Sequence, residues 1–333
     1  MASSVRLGLI GCGQHPYKNL LPGTVAAEET VMVACADVDE VRANETMQTY
    51  GFERPYLDYG TMLAREELDA VIVATPHHLL KEAALASIQA GCNVFIEKPM
   101  GVTRAEAKEV QAAADKAGVS AMVGYCLRYA EGRRTMKALL ERGVVGDVAL
   151  VTAGKGSVPL KGWLADPKTG GGQIFFLGVH ITDQLLWMLG AEAERVYAEI
   201  KWHPETGVDQ NSAYTIRFKN DVIADVLVSQ NLGDSMDFIE IVGSAGRIRS
   251  DWPTNIVQVQ SDALPEYKNP TTIVPKRPET LRDKMFADEM ADWVASLMEK
   301  RDPPIGTDAG INVLEIIDAV FESDRTGKPV TLG

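Results

Sequence analysis

The stretch that most constrains this chain is Val5 to Pro16, VRLGLIGCGQHP. An apolar run, Val5 to Ile10, meets the cluster Gly11-Cys12-Gly13. A short apolar run of this kind reads as a strand buried on both faces. Glycines at its carboxyl end let the backbone turn sharply and approach a ligand closely. A helix starting there points free N–H groups and the positive end of its dipole at a phosphate. These are the mechanics of the dinucleotide fingerprint G-x-G-x-x-G. Gly11 and Gly13 fit it, with Cys12, Gln14 and His15 in the same turn; the third glycine position holds Pro16. Proline is tolerated in a first helical turn, but the close helix–strand packing that a third glycine permits is lost. Taken alone, the motif also fits an ordinary strand-to-helix turn.

A second apolar run, Val31 to Ala36, ends in Asp37. An acidic residue about 20 residues beyond the glycines is placed to accept hydrogen bonds from the adenosine ribose and to repel the extra phosphate of NADP. Val38 and Asp39 follow it, with no arginine immediately after. The expected cofactor is therefore NAD, with NADP less favoured. The plainer reading of Asp37 is a helix cap at a strand end.

The chain has 333 residues, which favours two domains, and 46% of them are hydrophobic. A formal net charge of −13 argues against nucleic acid and against an anionic membrane surface as partners. No signal peptide or membrane-spanning run is visible, and Cys12, Cys35, Cys92 and Cys126 form no C-x-x-C pair. Buried, reduced thiols in a cytoplasmic protein are expected. His15, His77, His78, His180 and His203 are scattered, so no metal site is expected.

Strands and helices alternate through the first third: a helix to Tyr50, a short strand near Arg54 to Tyr56, a helix from Tyr59 to Arg65, and the run Ala70 to Ala74. After Thr75-Pro76-His77-His78 a helix is expected from Leu79 to Ala90. A strand, Asn93 to Ile96, leads to Glu97-Lys98-Pro99, and a helix from Arg104 to Ala117 precedes Ala121 to Val123. Repeated β-α-β units with short loops give a doubly wound parallel sheet, a Rossmann arrangement. Its ligands bind outside the carboxyl ends of the strands. The glycine turn, Asp37, Thr75 to His78, and Glu97-Lys98 all fall at that edge. Beyond Gly124 the pattern changes to helices around strand-like runs at Val148 to Ala153, Val196 to Trp202, Ser212 to Phe218, Val222 to Gln230 and Asp237 to Gly243. Consecutive strands joined by turns mean an antiparallel or mixed sheet. The expected division is residues 1–124 for cofactor binding and 125–333 for an α+β substrate and oligomerisation domain. The closing helix can pack back on the first.

Two groups carry candidate chemistry. Lys98, just past a buried strand, could donate a proton or orient a hydroxyl, although most lysines are solvated. Thr169 to Asp183, TGGGQIFFLGVHITD, sets three glycines before a helix with His180 and Asp183 at i, i+3. A lone histidine on an apolar helix is usually a core residue, but its place behind the triple glycine tilts it toward a general base.

These blocks together resemble the glucose–fructose oxidoreductase/inositol dehydrogenase/MocA family: Gly11 to Pro16, Ala74-Thr75-Pro76, Glu97-Lys98-Pro99, and Gly170-Gly171-Gly172 followed by Gly178-Val179-His180. The resemblance runs from residue 5 to the end. It implies a Rossmann domain followed by an α+β domain on an open, largely antiparallel sheet. It also implies a nicotinamide-dependent oxidoreductase acting on sugars or polyols, and a homodimer or homotetramer joined through the second sheet. By the same resemblance Lys98 and His180 are catalytic, and Asp183 and Arg128 bind substrate, with Phe176, Tyr125 and Trp163 beside them. Gly11, Cys12, Gly13, Gln14, His15, Asp37, Thr75, Pro76, His77, His78, Glu97 and Lys98 hold the cofactor. Phe176 stands where the family often has aspartate. A helix turn places it on the same face as His180, which it desolvates. An NAD-dependent glycosidase or lyase working by transient oxidation is an alternative, as is a non-enzymatic NAD- or sugar-binding regulator.

Overall fold

Six apolar segments hydrogen-bond into a parallel sheet in the order β3-β2-β1-β4-β5-β6. They are β1 (Val5–Ile10), β2 (Thr30–Ala36), β3 (Arg54–Tyr56), β4 (Ala70–Val73), β5 (Asn93–Glu97) and β6 (Ala121–Gly124). This is a computed structural model, which describes residues 4–27, 29–231, 236–275 and 281–333. The central strands β1 and β4 are buried almost throughout, as a sheet covered by helices on both faces requires. The helices are α1 (Leu21–Ala26), α2 (Glu40–Tyr50), α3 (Tyr59–Arg65), α4 (His77–Gln89) and α5 (Arg104–Ala117). Their ends are fixed locally. The Asp39, Asp58 and Thr103 side chains accept the first free N–H groups of α2, α3 and α5. Gly51 and Gly118 end α2 and α5 in the left-handed region. The four cysteines are buried.

The chain divides into two units. Met1–Cys126 and Asp283–Asn312 form the first; Leu127–Arg282 and Val313–Gly333 form the second. The segment that returns to the first unit takes in most of α8 (Leu281–Glu299) and the start of α9 (Thr307–Thr326). Within that unit Trp293 is fully buried with its ring 5.5 Å from Phe95, and Val123 N–H donates to Ile305 O at 2.9 Å.

The second unit is built on a nine-stranded sheet in the order β14-β13-β12-β11-β7-β10-β9-β8-β15. Its strands are β7 (Val148–Gly156), β8 (Ala193–Trp202), β9 (Asp209–Phe218), β10 (Ile223–Ser229), β11 (Asp237–Gly243), β12 (Gly246–Asp251), β13 (Val257–Ser261), β14 (Thr271–Ile273) and β15 (Val330–Thr331). Only β7 and β10 pair in parallel; the remaining neighbours are antiparallel. The hairpins at Lys219 to Asp221 and Gly243 to Gly246 form as the turn residues predict, while β12 to β15 lie beyond the strand-like runs read from sequence. The unit's helices are α6 (Glu131–Glu141) and α7 (Val179–Leu189), with the later part of α9.

Three charged side chains are buried together in this unit. Arg133 on α6 donates to Asp237 at 2.7 Å and to the Ser250 carbonyl, and Lys155 pairs with the other Asp237 oxygen. Arg133 is 1% exposed, and desolvation holds its pKa below the ordinary arginine value despite the Asp237 charge. Removing one partner of a buried pair leaves an uncompensated charge, at a cost of about 3–5 kcal/mol. Asp237→Ala should therefore lose stability on that scale, read as a lower urea midpoint, whereas the exposed-pair variant Lys284→Ala should change it by less than about 1 kcal/mol.

Candidate active site

In the first unit, the carboxyl edge of the sheet gathers the glycine turn and the strand ends. Gly11 has φ +94° and its N–H donates to Ala36 O at 2.8 Å. A Cβ there would lie 2.5 Å from the Ala74 carbonyl oxygen, so only glycine fits. Gly13 differs: a Cβ would meet no atom within 4 Å, which leaves open space over the turn. Cys12 N–H donates to Asp37 Oδ2 at 2.8 Å and Asp39 N–H to Oδ1 at 2.9 Å. Two loops thus fix the Asp37 carboxylate beside the turn. The helical turn after Gly13 begins at Gln14 and passes through a π-helical segment, Pro16–Leu20, before α1. Pro22 has no N–H to offer the Lys18 carbonyl, and Leu21 N–H reaches back five residues to Pro16 O.

At the end of β4 the Thr75 hydroxyl is buried with no hydrogen-bond partner among the described residues, and Pro76 is the N-cap of α4. His77 and His78 form the first turn of that helix, two residues earlier than the pattern predicts. His77 is buried and His78 exposed. Glu97 closes β5; its Oε1 pairs with His15 Nε2 at 2.8 Å, and Asn19 Nδ2 lies 2.9 Å from His15 Nδ1. Burial alone would raise the Glu97 pKa. His15, through its field and hydrogen bond, and the neighbouring Lys98 charge outweigh burial and hold the carboxyl below its ordinary value. Lys98 is itself buried, in a cis peptide with Pro99. Tyr125, just past β6, is fully buried in the same unit.

In the second unit, the helix expected behind the triple glycine is composite. A π-helical turn, Ile174–Gly178, carries Phe175 and Phe176, and the α-helix starts only at Val179. A π turn holds more residues than an α turn, so the i, i+4 argument that stacks Phe176 beneath His180 loses its premise. His180 and Asp183 are both buried on α7. Asp183 is held by Arg128, from the 3₁₀ turn Cys126–Tyr129, with Nη2 to Oδ1 at 2.6 Å and Nε to Oδ2 at 3.0 Å. Desolvation raises the Asp183 pKa; the Arg128 charge and hydrogen bonds only partly offset it. Trp163, in the turn Gly162–Ala165, is 37% exposed.

The triple glycine has a local cause. A Cβ on Gly171 would lie 2.5 Å from Leu164 O, and one on Gly172, at φ +121°, would overlap Oδ1 of Asp209. Asp209, at the start of β9, carried no signal beyond one acidic residue in a polar stretch. It is buried, and its Oδ2 accepts the Ile174 N–H at 2.8 Å. Desolvation raises its pKa to about 7 against the lowering effect of the Ile174 and Gln173 N–H groups. Among the described residues, no cluster of three or more His, Cys, Asp or Glu is placed to hold a metal ion, and no helix is long and apolar enough to cross a membrane.

Residues 5–125 match a family model described as an oxidoreductase family with an NAD-binding Rossmann fold. Residues 133–249 match the GFO/IDH/MocA C-terminal domain. The chain is 30% identical over 226 residues to a 1,5-anhydro-D-fructose reductase of Ensifer adhaerens, covering 66% of this chain and 67% of that one. It is 24% identical over 331 residues to a D-xylose 1-dehydrogenase (NADP(+)) of Haloferax volcanii, covering 98% and 99%. The solved structure of a levoglucosan dehydrogenase in complex with NADH superposes with a TM-score of 0.90 at 22% identity, covering 99% of each chain.

The Arg128–Asp183 pair makes a prediction about pH. Without Arg128, the Asp183 pKa rises further above its unfolded value. Stability is then kept below the unfolded pKa and lost as pH rises through the folded one. Arg128→Met should cost about 3–5 kcal/mol at pH 8 and clearly less at pH 5, measured by urea denaturation at both. An equal loss at the two values would mean that removing Arg128 does not raise the Asp183 pKa within that range.

Proposed function

We propose, from the premise that this chain belongs to the GFO/IDH/MocA oxidoreductase family, that it is an NAD-dependent dehydrogenase of a sugar, polyol or sugar derivative. The observation that carries the reading is Asp37: its carboxylate is oriented by backbone N–H groups beside a glycine turn whose Gly13 leaves open space. A carboxylate so placed suits ribose hydroxyls and disfavours a 2′-phosphate. The orphaned Thr75 hydroxyl at the same edge suits a polar ligand group. When bound, NAD supplies a hydride acceptor at its nicotinamide ring.

The chain's own residues do the rest of the work in this reading. Gly11 and Cys12 brace the turn through Ala36 and Asp37, the N–H groups of Gly13, Gln14 and His15 would meet the pyrophosphate, and Glu97 orients His15. Pro76, His77 and His78 border the cofactor. Lys98 stabilises negative charge developing on the substrate oxygen. His180 takes the hydroxyl proton as general base. Arg128 and Asp183 bind substrate as a pair, so a sugar hydroxyl meets a charged fork rather than a lone carboxylate. Tyr125 in the first unit, and Trp163 and Phe176 in the second, would offer the substrate apolar surface. The protein works in the cytoplasm as a homodimer or homotetramer. In support of assembly, Leu150, Tyr197, Leu227 and Val242 lie on one face of the second sheet and are each about two-fifths exposed.

Two measurements test this. In a panel of polyols, sugars and sugar acids, kcat/KM with NAD should exceed that with NADP at least tenfold, about 1.4 kcal/mol, and Asp37→Ala should narrow the gap. Equal use of both cofactors by the unaltered protein would remove Asp37 from cofactor selection. On the best substrate, Lys98→Ala and His180→Ala should each lower kcat by on the order of 10²-fold, with NAD affinity little changed in the histidine variant. A fully active His180→Ala protein would return that histidine to the core.

A further inference from the structure

We infer that Asp209 is a positioning residue for His180, seating the turn that leads into the helix on which that histidine stands. The inference rests on the reading that His180 acts on the substrate.

Strand β9 holds this helical segment at two points, and His180 lies between them in sequence. At one end, Asp209 Oδ2 accepts the Ile174 N–H at 2.8 Å. At the other, the Tyr214 hydroxyl meets Thr182 Oγ1 at 3.0 Å, with both residues buried. The stretch between is the π turn Ile174–Gly178 followed by the first residues of α7. A π turn is rarely favoured by itself and occurs often at functional sites. The register of His180 against β9 therefore depends on what pins the two ends. The Asp209 end is built for the purpose. Gly172 has no side chain where the carboxylate sits, and Gln230 Nε2 holds the Asp209 carbonyl at 2.6 Å.

This anchor is sensitive to protons. An ionised carboxylate accepts stronger hydrogen bonds from N–H groups and interacts favourably with the positive end of a helix. Burial places the Asp209 ionisation at about 7, so both forms are populated near neutrality. The titratable neighbours are identifiable. Tyr214 on the same strand is buried and pushed up by desolvation, with Asp209 adding to the effect. On the helix stand His180 itself and Asp183, the latter paired with Arg128. On the preceding loop, Asp166 caps the turn Pro167–Thr169 through Lys168 N–H.

The test is nuclear magnetic resonance of the full-length protein between pH 5 and 9, following the Ile174 amide and the His180 ring. The His180 signals are assigned with His180→Gln. In the unaltered protein both probes should share a transition with a midpoint near 7. Asp209→Asn, which keeps an acceptor but cannot ionise, should abolish that transition at Ile174 and remove the matching component at His180. Asp209→Ala should displace the His180 resonances and lower kcat roughly tenfold or more, with the Asn variant recovering most of the rate. Should the alanine variant fail to fold, the asparagine titration decides alone. His180 signals that titrate identically in the unaltered protein and Asp209→Asn would overturn the inference. If no sugar or polyol is oxidised, the proposed reaction falls, while the resonance measurement still decides whether Asp209 seats His180.

Discussion

The first unit depends on one close approach, in which the backbone of Gly11 passes so near the Ala74 carbonyl that only hydrogen fits between them. It fixes the end of β1 against the end of β4, the two central strands of the parallel sheet. From there the Cys12 N–H reaches Asp37 at the end of β2, and Gly13 is left facing open space. A side chain at residue 11 would part the two strand ends and misplace every group at that edge. The same element thus sets the fold locally and shapes the cofactor turn.

Much of this was legible in the sequence, for a physical reason. Strands buried on both faces must be nearly continuous apolar runs, and Val5 to Ile10, Val31 to Ala36 and Ala70 to Ala74 announce themselves so. The C-terminal half is harder to read. Strand β12, Gly246–Asp251, carries two arginines outward, and β13, VQVQS, is only five residues long. Neither stands out until a neighbour is paired beside it. The π turn is invisible as well, because Ile174 to Val179 is apolar at every position except Gly178 and imposes no period. The triple glycine was visible, but its partner was not: the group that approaches Gly172 is a carboxylate 37 residues further on.

The two units differ in how they treat charge. In the first, the buried acid Glu97 is satisfied at the sheet edge by His15 and the Lys98 N–H. In the second, buried charges pair with one another or with backbone groups. Arg133, Lys155 and Asp237 share one cluster, Arg128 and Asp183 another, and Asp209 is met by backbone N–H groups. Replacing such groups with apolar residues of similar volume is often neutral or stabilising. Their value in this chain lies in geometry: each joins two segments of the second unit in a defined orientation.

The return of Asp283–Asn312 to the first unit has a consequence for how the protein is made. A ribosome releases the six parallel strands early, yet the Trp293 ring that packs against Phe95 and the Ile305 carbonyl that receives the Val123 N–H emerge more than 150 residues later. Throughout that interval the nascent sheet lacks part of its cover and presents apolar surface to solvent. The first unit therefore cannot be completed until residues 127–282 of the second have been translated. The nascent chain passes through a long window in which it needs protection from aggregation.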